Sequence, residues 1–145
     1  MLRKYDILMI SDEVICGFGR TGQMFGSATF EIEPDMMSMA KGLSSAYFPI
    51  SALMISDEVY GVMVESSQKD GLFAHGLTYS GHPVGVAIAL EVLRIYQERN
   101  ICAHVRDVGT LFQSGLRQLL GNPIVGEVRS IGLMGGIELV ADKDT

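Results

Sequence analysis

Ile7-Leu8-Met9-Ile10-Ser11-Asp12-Glu13-Val14-Ile15-Cys16-Gly17-Phe18-Gly19-Arg20-Thr21-Gly22 opens with a short apolar run and closes in a glycine-rich turn. Four apolar residues followed by polar and flexible ones read as a buried parallel strand with a loop at its carboxyl end. The pattern returns in Pro34-Asp35-Met36-Met37-Ser38-Met39-Ala40-Lys41-Gly42-Leu43, where the turn signal Pro34-Asp35 precedes a strand over 36–40. A third strand is expected over 50–55, introduced by Pro49. Ligands of open α/β sheets sit beyond the carboxyl ends of the strands. Asp12 and Lys41 both fall there.

The remainder of the chain alternates in the same way. Ser56-Asp57-Glu58 reads as a helix start, with acidic residues at the positive end of the dipole, and the helix is expected to run to about residue 66. Residues 68–76 read as a loop. Pro83 suits the first turn of a helix over 83–99, with Val84, Ile88, Val92 and Ile95 near one face and further apolar residues widening it. A second long helix is expected over 103–120, with Val105, Val108, Phe112, Leu116 and Leu119 as its stripe. Asn122-Pro123 ends it, and strands follow over 125–129 and 133–140, the latter containing Gly135-Gly136. The fold class is α/β, a partial and mostly parallel sheet flanked by helices. A domain boundary is placed near 121–123.

Composition narrows the function classes. The chain has 145 residues, 48% of them hydrophobic, enough for one core. A net charge of −6 without blocks of like charge argues against a nucleic-acid surface. No apolar run is long enough to span a bilayer. Two cysteines give no disulfide framework and point to a reducing, cytoplasmic setting; a targeting segment could precede Met1. Three histidines without ligand spacing give no metal site.

Four places can carry chemistry. A carboxylate at Asp12 and an amine at Lys41 are the pair that pyridoxal phosphate requires. The lysine forms a Schiff base, and the carboxylate keeps the pyridine nitrogen protonated so that the ring accepts electrons. An amine in apolar surroundings is also the better nucleophile toward an aldehyde. The plain alternatives are a loop-capping aspartate and a surface lysine. Glu13 adjoins Asp12, and only one of the two need face a site. Gly17-Phe18-Gly19-Arg20-Thr21-Gly22 either approaches a phosphate or simply permits sharp backbone angles. His75-Gly76-Leu77-Thr78-Tyr79-Ser80-Gly81-His82-Pro83 offers hydroxyls and amides ahead of a helix, as in a phosphate site, or else an N-cap from Ser80 or Thr78. Arg129 either binds a carboxylate or makes a structural ion pair.

Taken together and in order, these segments resemble the class III (omega) aminotransferases of pyridoxal-phosphate fold type I. The likeness runs from Ser11-Asp12-Glu13-Val14 through Ala40-Lys41-Gly42-Leu43 and Gly76-Leu77-Thr78-Tyr79-Ser80-Gly81-His82-Pro83 to Gly132-Leu133-Met134 and Gly136-Ile137-Glu138-Leu139. It implies that Asp12 pairs with the pyridine nitrogen and that Val14 packs on a face of the ring. Lys41 is implied as the Schiff-base lysine and proton shuttle. Thr78 is implied to bond the cofactor phosphate of the neighbouring subunit, so that a homodimer completes the site. Residues 1–121 correspond to part of the large domain and 122–145 to the start of the small C-terminal domain. Ala46, Ser51 and Ser130 stand where many members have glycine.

The implied reaction moves an amino group from an amine or omega-amino acid to a 2-oxo acid such as pyruvate. Racemases, mutases and decarboxylases of the family share the same lysine and aspartate. The likeness covers about a third of a family member, so a non-catalytic fragment is the reading from another class, and the isolated chain is expected to be inactive. A flavodoxin-like binding module is a third reading, and it predicts ligand binding independent of Lys41.

Overall fold

The computed structural model describes residues 2–143. Strand β1 (Ile10–Asp12) pairs in parallel with β2 (Met36–Met39), and β3 (Ala52–Ile55) adds to β2 antiparallel. The α/β class holds. The expected mostly parallel pairing is met by β1–β2, whereas β3 reverses, because residues 40–51 form a compact turn instead of a crossover helix. In the parallel pair Asp12 lies opposite Ser38, so Lys41 follows β2 just beyond the level of Asp12.

A four-residue helix, α1 (Gly26–Thr29), closes the glycine-rich segment and was not anticipated from sequence. Helix α2 (Asp57–Asp70) begins where expected, with the Ser56 hydroxyl accepting from the Val59 amide at 3.3 Å. It runs a turn longer than expected and ends at Gly71, whose φ of +104° no other residue adopts readily. Helix α3 (Pro83–Glu98) buries Gly85, Ala89 and Val92, while Val84 is exposed. The inner face is therefore turned by one residue from the expected stripe. The cause is Gly85, where a Cβ would stand 2.7 Å from the Phe48 ring, so that ring packs directly on the helix backbone.

Phe18, Met39, Leu43 and Ala89 form the core beneath the strand ends, with Phe25, Met37, Ile50 and Tyr96 packed around them. Phe18 comes from the glycine-rich turn itself, and its ring meets Phe25 edge-on at 5.7 Å. The turn is thus anchored by an aromatic side chain, which explains the glycines around it. Gly19 and Gly22 have φ of +101° and +91°.

Helix α4 (Ile101–Gln118) packs against the antiparallel hairpin of β4 (Val125–Ile131) and β5 (Met134–Leu139). Its expected stripe meets the hairpin, with Phe112 and Leu116 lying over Gly135. Gly132 turns the hairpin at φ +53°, and a Cβ there would stand 2.6 Å from the Arg20 carbonyl and 2.7 Å from Thr21 Cα. The next amide, Leu133 N–H, donates to that Arg20 carbonyl at 3.0 Å. Gly132→Ala combines left-handed strain with a clash against backbone. We expect it to cost about 2–4 kcal/mol, read as a lowered urea midpoint with an unchanged slope.

Candidate active site

Asp12 ends β1 exposed, with Oδ1 accepting the Val14 amide at 3.0 Å. This two-residue return is the local bond that aspartate makes best at a strand end. It leaves Oδ2 without a partner among the described residues. Val14 is half-buried beside it.

Glu13 has the opposite environment. Successive strand residues face opposite sides, and its side chain is buried with 1% exposure. Its carboxylate accepts from Gly26 N–H at 2.8 Å and Ser27 N–H at 2.6 Å, and from the Ser11 hydroxyl at 3.3 Å. A buried carboxylate without such donors would be costly. Of the two adjacent acids, therefore, Asp12 remains open and Glu13 is consumed by the fold.

Lys41 follows β2 in the left-handed region, at φ +40°. A non-glycine residue there carries strain of about 1–2 kcal/mol, and such strain gathers at functional positions. Within this chain its side chain is exposed, while Leu43, two residues on, enters the core. Lys41 lines a cavity of about 570 Å³ with Ile15, Gly19, Tyr96, His104 and Leu133. Gly42 lies against Phe18, where a Cβ would come within 2.9 Å. The Tyr96 hydroxyl donates to the Gly42 carbonyl at 2.8 Å and meets the Ser45 hydroxyl at 2.8 Å. Tyr96 thereby ties the lysine turn to α3, a role that sequence reading missed. Its signal is a tyrosine two helical turns beyond the buried Ala89.

Most amides of the glycine-rich turn are engaged within the fold. The Gly17 amide donates to the Glu13 carbonyl, those of Phe18 and Gly19 to the Met24 carbonyl, and that of Gly22 to the Gly19 carbonyl. Four of its six amides are thus already bonded to backbone carbonyls, which favours the backbone-angle reading.

Thr78 lies apart. It is exposed in the turn before α3, whose neighbours Leu77, Tyr79 and His82 line a second cavity of about 640 Å³ with Phe48. Neither Asp12 nor Lys41 lines that cavity. The N-cap of α3 falls on His82, without a side-chain cap, so neither Thr78 nor Ser80 caps the helix. His82 stacks on Phe48 at 5.3 Å, and its Nδ1 is buried without a partner among the described residues. Arg129 pairs with Glu127 and Glu138, the structural alternative.

The Cys16 thiol is pushed up from its ordinary pKa by burial, and further by the carboxylates of Glu13 and Asp12. Less thiolate means slower attack. In a Cys102→Ser background, Cys16 is expected to react with a disulfide reagent at pH 8 more slowly than a small free thiol. Stopped-flow absorbance checks this.

Among the described residues no group of histidine, cysteine and acidic side chains could hold a metal ion, and no helix is long and apolar enough to cross a membrane. The residues present fit pyridoxal phosphate in their donor set, an open carboxylate and an open amine on the ends of two adjacent parallel strands.

The sequence profile described as "Aminotransferase class-III" matches residues 1–145. "Gamma-aminobutyrate transaminase 1, mitochondrial" of Oryza sativa is 55% identical over 143 residues, which is 99% of this chain and 28% of that protein. "Vanillin aminotransferase" of Capsicum chinense is 52% identical over 99% of the chain and 31% of its own length. Among solved structures, an omega transaminase from Pseudomonas jessenii in complex with PMP superposes with a TM-score of 0.95 at 52% identity, over 99% of this chain and 32% of that one. The chain thus spans about three tenths of the length of the curated relatives it matches.

Proposed function

The chain belongs to the class-III aminotransferase family, and on that footing we propose that it supplies the reactive lysine and ring-facing carboxylate of a pyridoxal-phosphate-dependent transaminase. The observation that carries this is the pairing of β1 and β2 in parallel, with Asp12 and Lys41 at their carboxyl ends and Glu13 withdrawn into the fold. When bound, the cofactor supplies an electron-accepting ring conjugated to an aldehyde carbon. The Lys41 amine holds it and afterwards holds or moves a proton at Nζ. Asp12 Oδ2 accepts the ring N–H, and Val14 packs on the ring face. Thr78 is exposed, in a turn whose neighbours line a cavity that neither Asp12 nor Lys41 lines, which supports its assignment to the cofactor phosphate of a neighbouring subunit in a homodimer.

The division at 121–122 is part of the same proposal, with the cofactor-binding large domain before it and the start of the small domain after it. Exposed apolar residues such as Leu53, Leu90 and Tyr79 mark faces that the remainder of such a transaminase would cover. The amino donor is an amine or omega-amino acid, supported by the names of the rice and Pseudomonas relatives, and the acceptor is a 2-oxo acid such as pyruvate. The rice relative is named mitochondrial, so an organelle is as compatible as the cytoplasm.

The test is amino transfer by the protein that carries this segment. With γ-aminobutyrate or an arylalkylamine as donor and pyruvate as acceptor, alanine accumulates, and it fails to do so in Lys41→Ala. Lysine-dependent racemisation or carbon dioxide release without alanine would place the protein in another branch of the family.

A further inference from the structure

We propose that Glu13 is a positioning residue for the Asp12 carboxylate, acting through the peptide group that joins Glu13 to Val14. The inference rests on the reading of Asp12 as the group that faces the cofactor ring.

Residue 13 is fixed at every handle it has. Its amide donates to the Ser38 carbonyl at 2.9 Å, which ties it to β2. Its carbonyl accepts from Gly17 N–H at 2.8 Å, which ties it to the glycine-rich turn. Its carboxylate takes the Gly26 and Ser27 amides at 2.8 and 2.6 Å, two of the first N–H groups of α1, which have no acceptor within that helix. Among the described residues no cation pairs with it, so amide donors alone sustain the buried charge. Such bonds to an ionised acceptor are the strong ones.

The peptide group between residues 13 and 14 is planar. Its C=O is the one held by Gly17, and its N–H is the one that Asp12 Oδ1 accepts at 3.0 Å. The tilt of that plane therefore sets where Asp12 points and leaves Oδ2 free to meet a ring N–H. Glu13 fixes the plane from one side through its carboxylate, and the turn fixes it from the other. A Cβ on Gly26 would lie 2.7 Å from Cys16 Cβ and 3.2 Å from Glu13 Oε2, so α1 is seated without slack.

Glu13→Gln is nearly isosteric but replaces one acceptor oxygen with an NH₂ group, which then faces an amide donor. The experiment compares wild type, Glu13→Gln and Glu13→Asp, which keeps the charge and shortens the reach. It reads three quantities: the dissociation constant for pyridoxal phosphate, the titration midpoint of its visible absorption band, and hydrogen exchange at the Val14 amide without cofactor. Glu13→Gln is expected to weaken cofactor binding roughly tenfold to hundredfold, the equivalent of one lost charge-assisted hydrogen bond. The midpoint is expected to rise by about half a unit or more, since an unpaired ring nitrogen loses its positive charge and the neighbouring nitrogen then keeps its proton more readily. Val14 exchange is expected to quicken about tenfold or more.

A role confined to stability would lower the melting temperature and leave the midpoint of the folded, loaded protein unmoved. An unchanged midpoint and affinity therefore overturn the proposal. If Glu13→Gln does not fold, Glu13→Asp is judged by the same readings. If wild type takes up no pyridoxal phosphate on Lys41, it is the reading of Asp12 that fails. The control by Glu13 over the Asp12 bond is then decided by Val14 exchange alone, where quickening supports it and an unchanged rate overturns it.

Discussion

In the protein that carries this segment, Lys41→Ala is expected to lower amino transfer by at least about 10⁴-fold, because it removes both the amine that holds the cofactor and the group that moves the proton. General acid–base assistance alone contributes about 10²–10⁴-fold, and losing the covalent attachment adds to it. The same substitution is expected to leave the fold in place. The side chain is exposed, and the turn around it is held by Gly42, Leu43 and Tyr96, not by the lysine. The strained φ of +40° gives a second reading. In Lys41→Gly the left-handed cost of about 1–2 kcal/mol disappears, and the greater backbone freedom of unfolded glycine returns about 0.5–1 kcal/mol of it. Lys41→Gly is therefore expected to be inactive and at least as heat-stable as wild type. Thermal melts beside single-turnover assays check both halves. A clear drop in melting temperature would mean that the lysine is structural.

Asp12→Asn carries the second large effect. Asparagine keeps an oxygen that can accept the Val14 amide, so the local turn survives. What is lost is the negative charge toward the ring nitrogen. Preorganised charge of this kind is worth about 10²–10³-fold in rate when one donor or acceptor is removed. A fall in kcat/KM of about that size, with cofactor binding weakened in parallel, is expected. A loss below about tenfold would leave Asp12 as the loop-capping residue that its bond to Val14 alone describes.

How much of this could be read beforehand depends on how local each cause is. The strand ends that carry Asp12 and Lys41 were legible, since short apolar runs stopped by glycine or a turn signal leave little choice. The start of α3 at Pro83 and the apolar stripe of α4 followed from turn chemistry and helical period. Helix α1 was not legible, since four residues carry no period. The reversal of β3 was not legible either, as the direction of pairing depends on the path of residues 40–51 and not on the strand. Glu13 was the main omission. Strand alternation separates it from Asp12, but its partners at Gly26 and Ser27 lie 13 and 14 residues away and no spacing rule announces them. Thr78 was preferred over Ser80 only by family likeness. Its turn is exposed, and its hydroxyl meets neither Asp12 nor Lys41 within one chain.

The most direct measurement is borohydride trapping. The chain is incubated with pyridoxal phosphate, reduced and digested, and mass spectrometry locates the phosphopyridoxyl group among its four lysines, Lys4, Lys41, Lys69 and Lys143. Selective labelling of Lys41 that is lost in Asp12→Ala is the expected result. Labelling spread over Lys4, Lys69 and Lys143, or unaffected by Asp12→Ala, would contradict the assignment of these two residues as one site.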